Sequence, residues 1–310
     1  MHLNFIVSNF YKFKPFKNID QLKLNLKNKI EKFDVKGSFL IGHEGINASF
    51  SVPEKEFELI QHELNQLFNE NLIFKKQQHS SHAFLRLKIR LKKEIVTMGD
   101  KTVKSNNKSG KYLTPEEWDE LVTKDDVIVL DTRNYYESDI GTFKNSIKVN
   151  SNNFREFPEW FKNNKEKFHN KKIAMFCTGG IRCEKASNLV ISRGYKHVYQ
   201  LKGGIINYLQ KTKNKKKNWK GDCFVFDDRV SVNNALKKGN YSQCFACRSP
   251  ISTEDQQSKL FKDGVSCPKC FNKKNKKQVR RYQERQKQIK IAKKKGIKHL
   301  GLKIFNLNQP

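Results

Sequence analysis

The chain has 310 residues, which predicts about two domains at roughly 150 residues each. Its 36% hydrophobic content, with 23 Phe, supplies real cores and excludes wholesale disorder. Sixty-two basic against 31 acidic residues leave a formal charge of +31, which favours a polyanionic partner, nucleic acid before an acidic membrane surface. The excess is mostly Lys in an Asn-rich chain, a look that AT-rich coding also produces without any partner. No run approaches the roughly 18 consecutive apolar residues of a membrane span. The start, Met1-His2-Leu3-Asn4-Phe5-Ile6, lacks the basic stretch and small-residue cleavage site of a secretion signal. Seven Cys, an odd number in a long chain, suit metal binding and thiolate chemistry rather than a disulfide scaffold. The expectation is a cytoplasmic protein with no membrane partner.

In chain order, Leu3–Phe10 reads as an apolar strand, and Asp20 begins a helix carrying Leu22, Leu24, Leu26 and Ile30. Gly37–Ile41 and Ala48–Val52 read as strands joined by the turn Gly42-His43-Glu44-Gly45-Ile46-Asn47. Pro53 opens a helix with Phe57, Ile60, Leu64 and Leu67 at helical spacing. Phe84–Leu91 alternates, with Leu85, Leu87, Ile89 and Leu91 on one face and Arg86, Lys88 and Arg90 on the other. The order βαββαβ predicts a ferredoxin-like α+β domain over 1–98. Its basic strand face reads either as a phosphate contact or as an ordinary solvated face.

Residues 99–112 are polar and read as a linker. Thr114-Pro115-Glu116-Glu117 then marks a helix start, with Thr114 as cap, Pro115 first and Glu117 completing a capping box. Buried strands follow at Val127–Leu130, ending in Asp131, and at Ile173–Phe176, ending in Cys177. A helix runs to about Arg193 and stops at Gly194. Val198–Leu201 is a further strand, and Gly203-Gly204 leads into another helix. Strands alternating with helices predict a doubly wound parallel α/β domain over 113–211. Residues 212–240 read as a basic linker and connecting segment, 241–272 hold two C-x-x-C pairs, and 273–310 form a basic tail, helical in part around 278–295.

Cys177 carries the chemistry. It ends a buried strand just before a helix, where ligands of open α/β sheets bind. In Cys177-Thr178-Gly179-Gly180-Ile181-Arg182 the glycines let backbone N–H groups converge, the helix N-terminus adds about half a positive charge, and Arg182 adds a full one as anion stabiliser. Such a loop stabilises a thiolate or persulfide, with a depressed pKa, as nucleophile. Cys183 reads as a buried helical thiol, with a resolving role as the alternative. Asp131 and Arg133 read as a strand-end network supporting the loop.

Cys244-Phe-Ala-Cys247 and Cys267-Pro-Lys-Cys270, 19 residues apart, have the spacing of a four-thiolate zinc site. Four thiolates leave no open position, so such a zinc is structural. Redox-active thiol pairs are the alternative. Phe245, Phe261 and Phe271 are candidates to stack bases beside the basic tail.

The Cys177 loop, with Asp131-Thr132-Arg133-Asn134-Tyr135-Tyr136-Glu137 and Gly141-Thr142-Phe143 upstream, resembles a rhodanese domain. Thr142 and Ser146 depart from the usual His and Ala of that signature. Related phosphatases have a loop one residue longer between Cys and Arg; four residues here suit a persulfide rather than a phosphate. The run Cys177–Ser187, with Gly203-Gly204-Ile205-Ile206, His43-Glu44-Gly45-Ile46-Asn47 and Phe224-Val225-Phe226-Asp227-Asp228-Arg229, is similar to the bacterial tRNA uridine-34 5-hydroxylases over about 1–275. The resemblance implies oxygen-dependent conversion of the wobble uridine of certain tRNAs to 5-hydroxyuridine, with Cys177 as the persulfide nucleophile and the anticodon region of tRNA as partner. His43, Glu44 and Asn47 become candidates for substrate contact, or else a turn with local polar bonds. Among the eight His there is no convincing two-His-one-carboxylate set, and there is no dinucleotide fingerprint. A rhodanese-type sulfur transferase, passing persulfide sulfur to a protein or small-molecule acceptor, remains the alternative.

Overall fold

The structure is a computed structural model that describes residues 4–100, 103, 109–212 and 218–296. It divides into two units, Met1–Gly239 and Asn240–Pro310. The first unit contains two sheets.

The N-terminal sheet is built from β1 (Phe5–Phe13), β2 (Lys36–Gly42), β3 (Gly45–Pro53), β4 (Lys75–His79) and β5 (Leu87–Leu91), in the order β4-β1-β3-β2-β5. Helices α1 (Ile19–Ile30) and α2 (Phe57–Phe68) cover one face. Side chains alternate along each strand. Phe10, Phe39 and Phe50 therefore join Leu26, Ile30, Ile60 and Leu64 in a dry core, while Asn9, Tyr11, Ser38, Asn47 and Ser49 line a cleft on the sheet's other side. The strands β4-β1-β3-β2 have the ferredoxin-like order, with one correction. The fourth strand is Lys75–His79, and the segment read as that strand is instead an added edge strand, parallel to β2 and limited to Leu87–Leu91. Lys75-Lys76-Gln77-Gln78-His79 has no apolar residue, so no hydrophobic pattern announces it. Backbone pairing to β1 makes it a strand. Its inward residues, Lys75 and Gln77, are buried against polar partners rather than in oil. The hairpin is also tighter than expected, because Gly42 pairs with Gly45 and leaves only His43-Glu44 as the turn.

The second sheet comprises β6 (Lys111–Leu113), β7 (Val127–Asp131), β9 (Ile147–Lys148), β10 (Lys172–Phe176) and β11 (Val198–Leu201), all parallel, in the order β6-β11-β10-β7-β9. Between them run α3 (Pro115–Leu121), α4 (Tyr135–Ser138), the short strand β8 (Gly141–Phe143), α5 (Phe157–Asn163), α6 (Ile181–Ser192) and α7 (Gly204–Lys211). Both faces are covered, as a parallel sheet requires. Alternate β10 residues enter opposite cores: Ile173 and Met175 meet Phe161, Phe168 and Leu189, while Ala174 and Phe176 meet Trp118, Tyr208 and Trp219. The capping box forms as the sequence implies, with Glu117 N on Thr114 Oγ1 at 3.3 Å and Thr114 N on Glu117 Oε2 at 2.8 Å.

The connection read over 212–240 is folded where it is described. Strand β12 (Trp219–Gly221) pairs with β8, and β13 (Cys223–Phe224) pairs with β14 (Ser231–Val232). Trp219, Cys223, Val225 and Val232 are buried in the second domain's core. Arg229 Nη1 then reaches Gln77 Oε1 at 2.7 Å, so this segment also ties the two sheets together. Residues 213–217 of it, and 101–102 and 104–108 of the linker, lie outside the described residues.

The second unit holds β15 (Ser242–Gln243), β16 (Pro250–Ile251), α8 (Thr253–Gln257) and α9 (Lys276–Lys294). Helix α9 starts with a capping box, Asn275 with Gln278, and buries none of its residues. The rest of the basic tail, 297–310, lies outside the described residues. No helix among the described residues is long and apolar enough to cross a membrane.

Candidate active site

Cys177 follows β10 directly and is 1% exposed. Two glycines shape its cradle. Gly180 has φ +98° at the cap of α6, and its N–H donates to Cys177 Sγ at 3.1 Å. Gly204 has φ +70°, and a Cβ there would lie 2.5 Å from the Cys177 carbonyl oxygen. That close approach lets Ile205 N donate to Cys177 O and Ile206 N to Thr178 O, at 3.0 and 3.2 Å. The N-terminus of α7 thus clamps the loop from one side while α6 starts from it.

Burial alone would push the Cys177 thiol up. The Cys183 thiol, the nearby Arg182 charge and the backbone N–H groups of Cys183 and Arg182 outweigh that and bring it down to about 6. Cys183 itself, fully buried, is pushed up by desolvation and by the neighbouring anion. It stays protonated beside the Cys177 anion, and Thr132 Oγ1 lies 3.7 Å from its sulfur. Cys183 is therefore a supporting thiol in the ground state.

Arg182 favours the Cys177 anion through its charge, while its guanidinium is bound to Glu137. Its Nη1 and Nη2 both go to Glu137, at 2.7 and 2.6 Å, and among the described residues the guanidinium makes no hydrogen bond to the sulfur. Its charge and backbone amide still favour the thiolate, but its guanidinium is committed. Glu137, fully buried, also accepts from Thr178 Oγ1 and from Asn134 N. The sequence motif contained Glu137, yet nothing in it singled out the residue as the partner of Arg182.

Asp131 and Arg133 do form a strand-end network. Arg133 forks onto Asp131 at 2.9 and 2.6 Å and reaches Gly141 O at 2.6 Å, while Thr142 Oγ1 donates to Asp131 at 2.8 Å. Thr142 thus takes a hydrogen-bonding place in this network. The network fixes β7 to β8 and does not face the cleft.

Above Cys177 lies a cleft of about 490 Å³, walled by the polar face of the N-terminal sheet on one side and by Thr178, Gly179, Ile181 and Arg182 on the other. Phe226 also lines it, 59% exposed, with its ring centre 5.9 Å from the Arg182 guanidinium. Tyr11 reaches across to Glu184 Oε1 at 2.7 Å, and Lys75 to Gly179 O at 2.6 Å. Both were missed in the sequence, Lys75 because its strand was missed.

Residues 5–95 match the UPF0176 acylphosphatase like domain, and residues 114–211 match the rhodanese-like domain. A UPF0176 N-terminal domain is joined here to a rhodanese domain. Solved structures similar to the chain include a single-domain sulfurtransferase of Saccharomyces cerevisiae, at 23% identity over 36% of this chain and 99% of that one, TM-score 0.30. A rhodanese-related protein of Thermoplasma volcanium matches at 20% identity over 34% of this chain and 95% of that one, TM-score 0.28. The rhodanese domain supports sulfurtransferase-type chemistry.

The three UPF0176-domain residues read as substrate contacts separate in space. His43 is exposed and its Nδ1 lies 2.9 Å from Phe16 O. Glu44 accepts from Ile95 N at 2.7 Å and pairs with Lys185 of the rhodanese domain at 2.8 Å. Neither lines the cleft. Asn47 does, with its Nδ2 on Ile95 O at 3.1 Å. Lys185, 2% exposed, also pairs with Glu94 at 2.7 Å, so Glu44 is a tie between the domains.

Beyond the rhodanese domain, the Sγ atoms of Cys244, Cys247, Cys267 and Cys270 all lie within 4.8 Å of one another. Cys244 and Cys270 are 3.9 Å apart, and Cys247 and Cys267 3.7 Å. A tetrahedral zinc with bonds of about 2.3 Å sets its sulfurs about 3.8 Å apart, whereas a disulfide needs about 2.05 Å. The donor set and spacing fit a closed, structural zinc site.

Proposed function

We propose that this protein hydroxylates the wobble uridine of tRNA (uridine 34) to 5-hydroxyuridine. One atom of molecular oxygen enters at C5, and the other is taken to water by two electrons from a donor. Cys177 acts as the nucleophile, as thiolate or persulfide. The observation that carries this reading is the wall of the cleft above Cys177. Asn9, Ser38, Asn47 and Ser49 supply neutral amides and hydroxyls, suited to the carbonyl and imino edge of a uracil, and exposed Phe226 offers a stacking face. A volume of about 490 Å³ also exceeds what a small sulfur acceptor occupies. The pairing of a UPF0176 domain with a rhodanese domain and the charge of +31 support a tRNA partner, and with it a cytoplasmic role.

Sulfur transfer is the second reading, favoured by the short loop from Cys177 to Arg182 and the protonated thiol beside the nucleophile. Nucleoside mass spectrometry of tRNA from cells lacking the protein, rescued with intact or Cys177→Ser chain, decides between them. The hydroxylase reading expects 5-hydroxyuridine to return with the intact protein alone. Rescue by both chains removes Cys177 from the mechanism. No change in uridine 34 with either chain leaves sulfur transfer.

A further inference from the structure

The UPF0176 domain places a cation in the site of the rhodanese domain. Lys75 lies on the cleft side of β4, 8% exposed, and its Nζ donates to the Gly179 carbonyl at 2.6 Å. The same nitrogen is 5.1 Å from the centre of the Tyr11 ring. Lys75, Gly179 and Cys177 line one cleft. The carboxylates nearby are committed elsewhere: Glu137 holds Arg182, Glu44 and Glu94 hold Lys185, and Glu184 accepts from Tyr11 and Tyr112. That leaves Lys75 with no carboxylate partner among the described residues. A buried ammonium costs several kcal/mol unless an opposite charge compensates it. Burial pushes Lys75 down to about 8, and the negative charges of Cys177 and Glu184 hold it up against that fall.

We propose that Lys75 is the counter-ion of the anion carried by Cys177, so that the rhodanese site is complete only with β4 of the UPF0176 domain docked against it. Lys75 adds a positive charge with no carboxylate partner among the described residues to the charge of Arg182, which is already shared with Glu137. The same ammonium serves a thiolate or a persulfide, so its role is separable from the identity of the acceptor. The other groups facing Cys177 are Cys183 and Arg182 from α6, Glu137 from α4 and Tyr11 from β1, with Glu184 bonded to Tyr11 and Cys223 behind the loop.

The test is the pH dependence of iodoacetamide alkylation at Cys177 in the full chain, followed by peptide mass spectrometry. Lys75→Met keeps the length of the stem and removes the charge. The midpoint moves up by about one pH unit, which is about tenfold less thiolate on the rising limb. An unchanged midpoint in a folded Lys75→Met chain overturns the proposal. If that variant does not fold, the reciprocal coupling decides, because linkage between two sites is symmetric. In full-length Cys177→Ser protein, the titration of the Lys75 ammonium, read by nitrogen NMR, moves down by the same amount. A Lys75 titration that ignores the loss of the thiolate overturns the proposal equally.

Discussion

Arg182 and Glu137 form a forked ion pair beside the Cys177 loop, with N···O distances of 2.7 and 2.6 Å and side chains 9% and 0% exposed. A buried pair contributes little net stability, but breaking one side strands the other charge. Glu137→Ala should therefore destabilise the chain by about 3–5 kcal/mol in urea unfolding. Glu137→Ala combined with Arg182→Met should recover part of that loss, since no charge is left unpaired. Equal losses in the single and double variants would show that the pair's capping and loop bonds, not its charges, hold this region.

The Cys177 thiol gives a second prediction, in pH. Its pKa is about 6 in the folded chain, despite burial, because Cys183, Arg182 and two backbone amides favour the anion. In the unfolded chain it returns to about 8.5. The lower folded value means that this contribution to stability is complete above about 8.5 and is lost as pH falls through about 6. Alkylation at Cys177 should be half-maximal near pH 6, and Cys183→Ala should move that midpoint up by about one to two units, the worth of one hydrogen bond to a charged sulfur. An unshifted midpoint in Cys183→Ala would assign the effect to Arg182 and the amides.

The parts legible in the sequence are those whose side chains are dictated by burial or backbone conformation. Phe176-Cys177 and Gly180 announce the loop because a buried parallel strand must be apolar and the turn requires a left-handed residue. Thr114 and Glu117 announce a helix start for equally local reasons. Lys75 was hidden because β4 is a polar strand whose inward face meets another domain's loop, a contact across 104 residues of chain that no periodicity records. The same distance problem misplaced Glu44, whose partner Lys185 is on α6. That the Arg182 charge is shared with Glu137 was not legible, because Glu137 comes from a different helix. Charge near a nucleophile can be inferred from spacing, but whether that charge is already paired depends on tertiary contacts.

The four-cysteine cluster makes a third prediction. The first pair sits on the turn between β15 and β16 and the second on a turn after α8, in a segment whose only buried cluster among the described residues is Ile251 with Cys244, Cys267 and Cys270. Four residues are too few to hold such a segment without the metal. The purified chain should carry one zinc, and Cys267→Ser should lose it. Chelation should raise amide exchange across 242–270 while exchange in β10 and α6 stays unchanged. Retained protection in the metal-free protein would mean that packing around Ile251 is sufficient.

Phe226 bears on the substrate most directly. It is the large apolar residue left exposed at the cleft, 59% accessible, while its neighbour Phe224 is buried against Tyr136. A buried aromatic would be explained by packing; an exposed one held beside a nucleophile has a face free for a flat ligand. Base stacking on an aromatic is worth about 1–3 kcal/mol, so under the proposed hydroxylase reading Phe226→Ala should weaken productive tRNA binding by about 5- to 150-fold. Because Phe226 makes no hydrogen bond to the sulfur, the pH midpoint of Cys177 alkylation should not move. Steady-state kinetics on tRNA, beside alkylation of the same preparation, separates the two effects. A Phe226→Ala chain that modifies tRNA normally would place the base elsewhere, whereas one that loses both activity and the Cys177 midpoint would show that the ring supports the loop rather than the substrate.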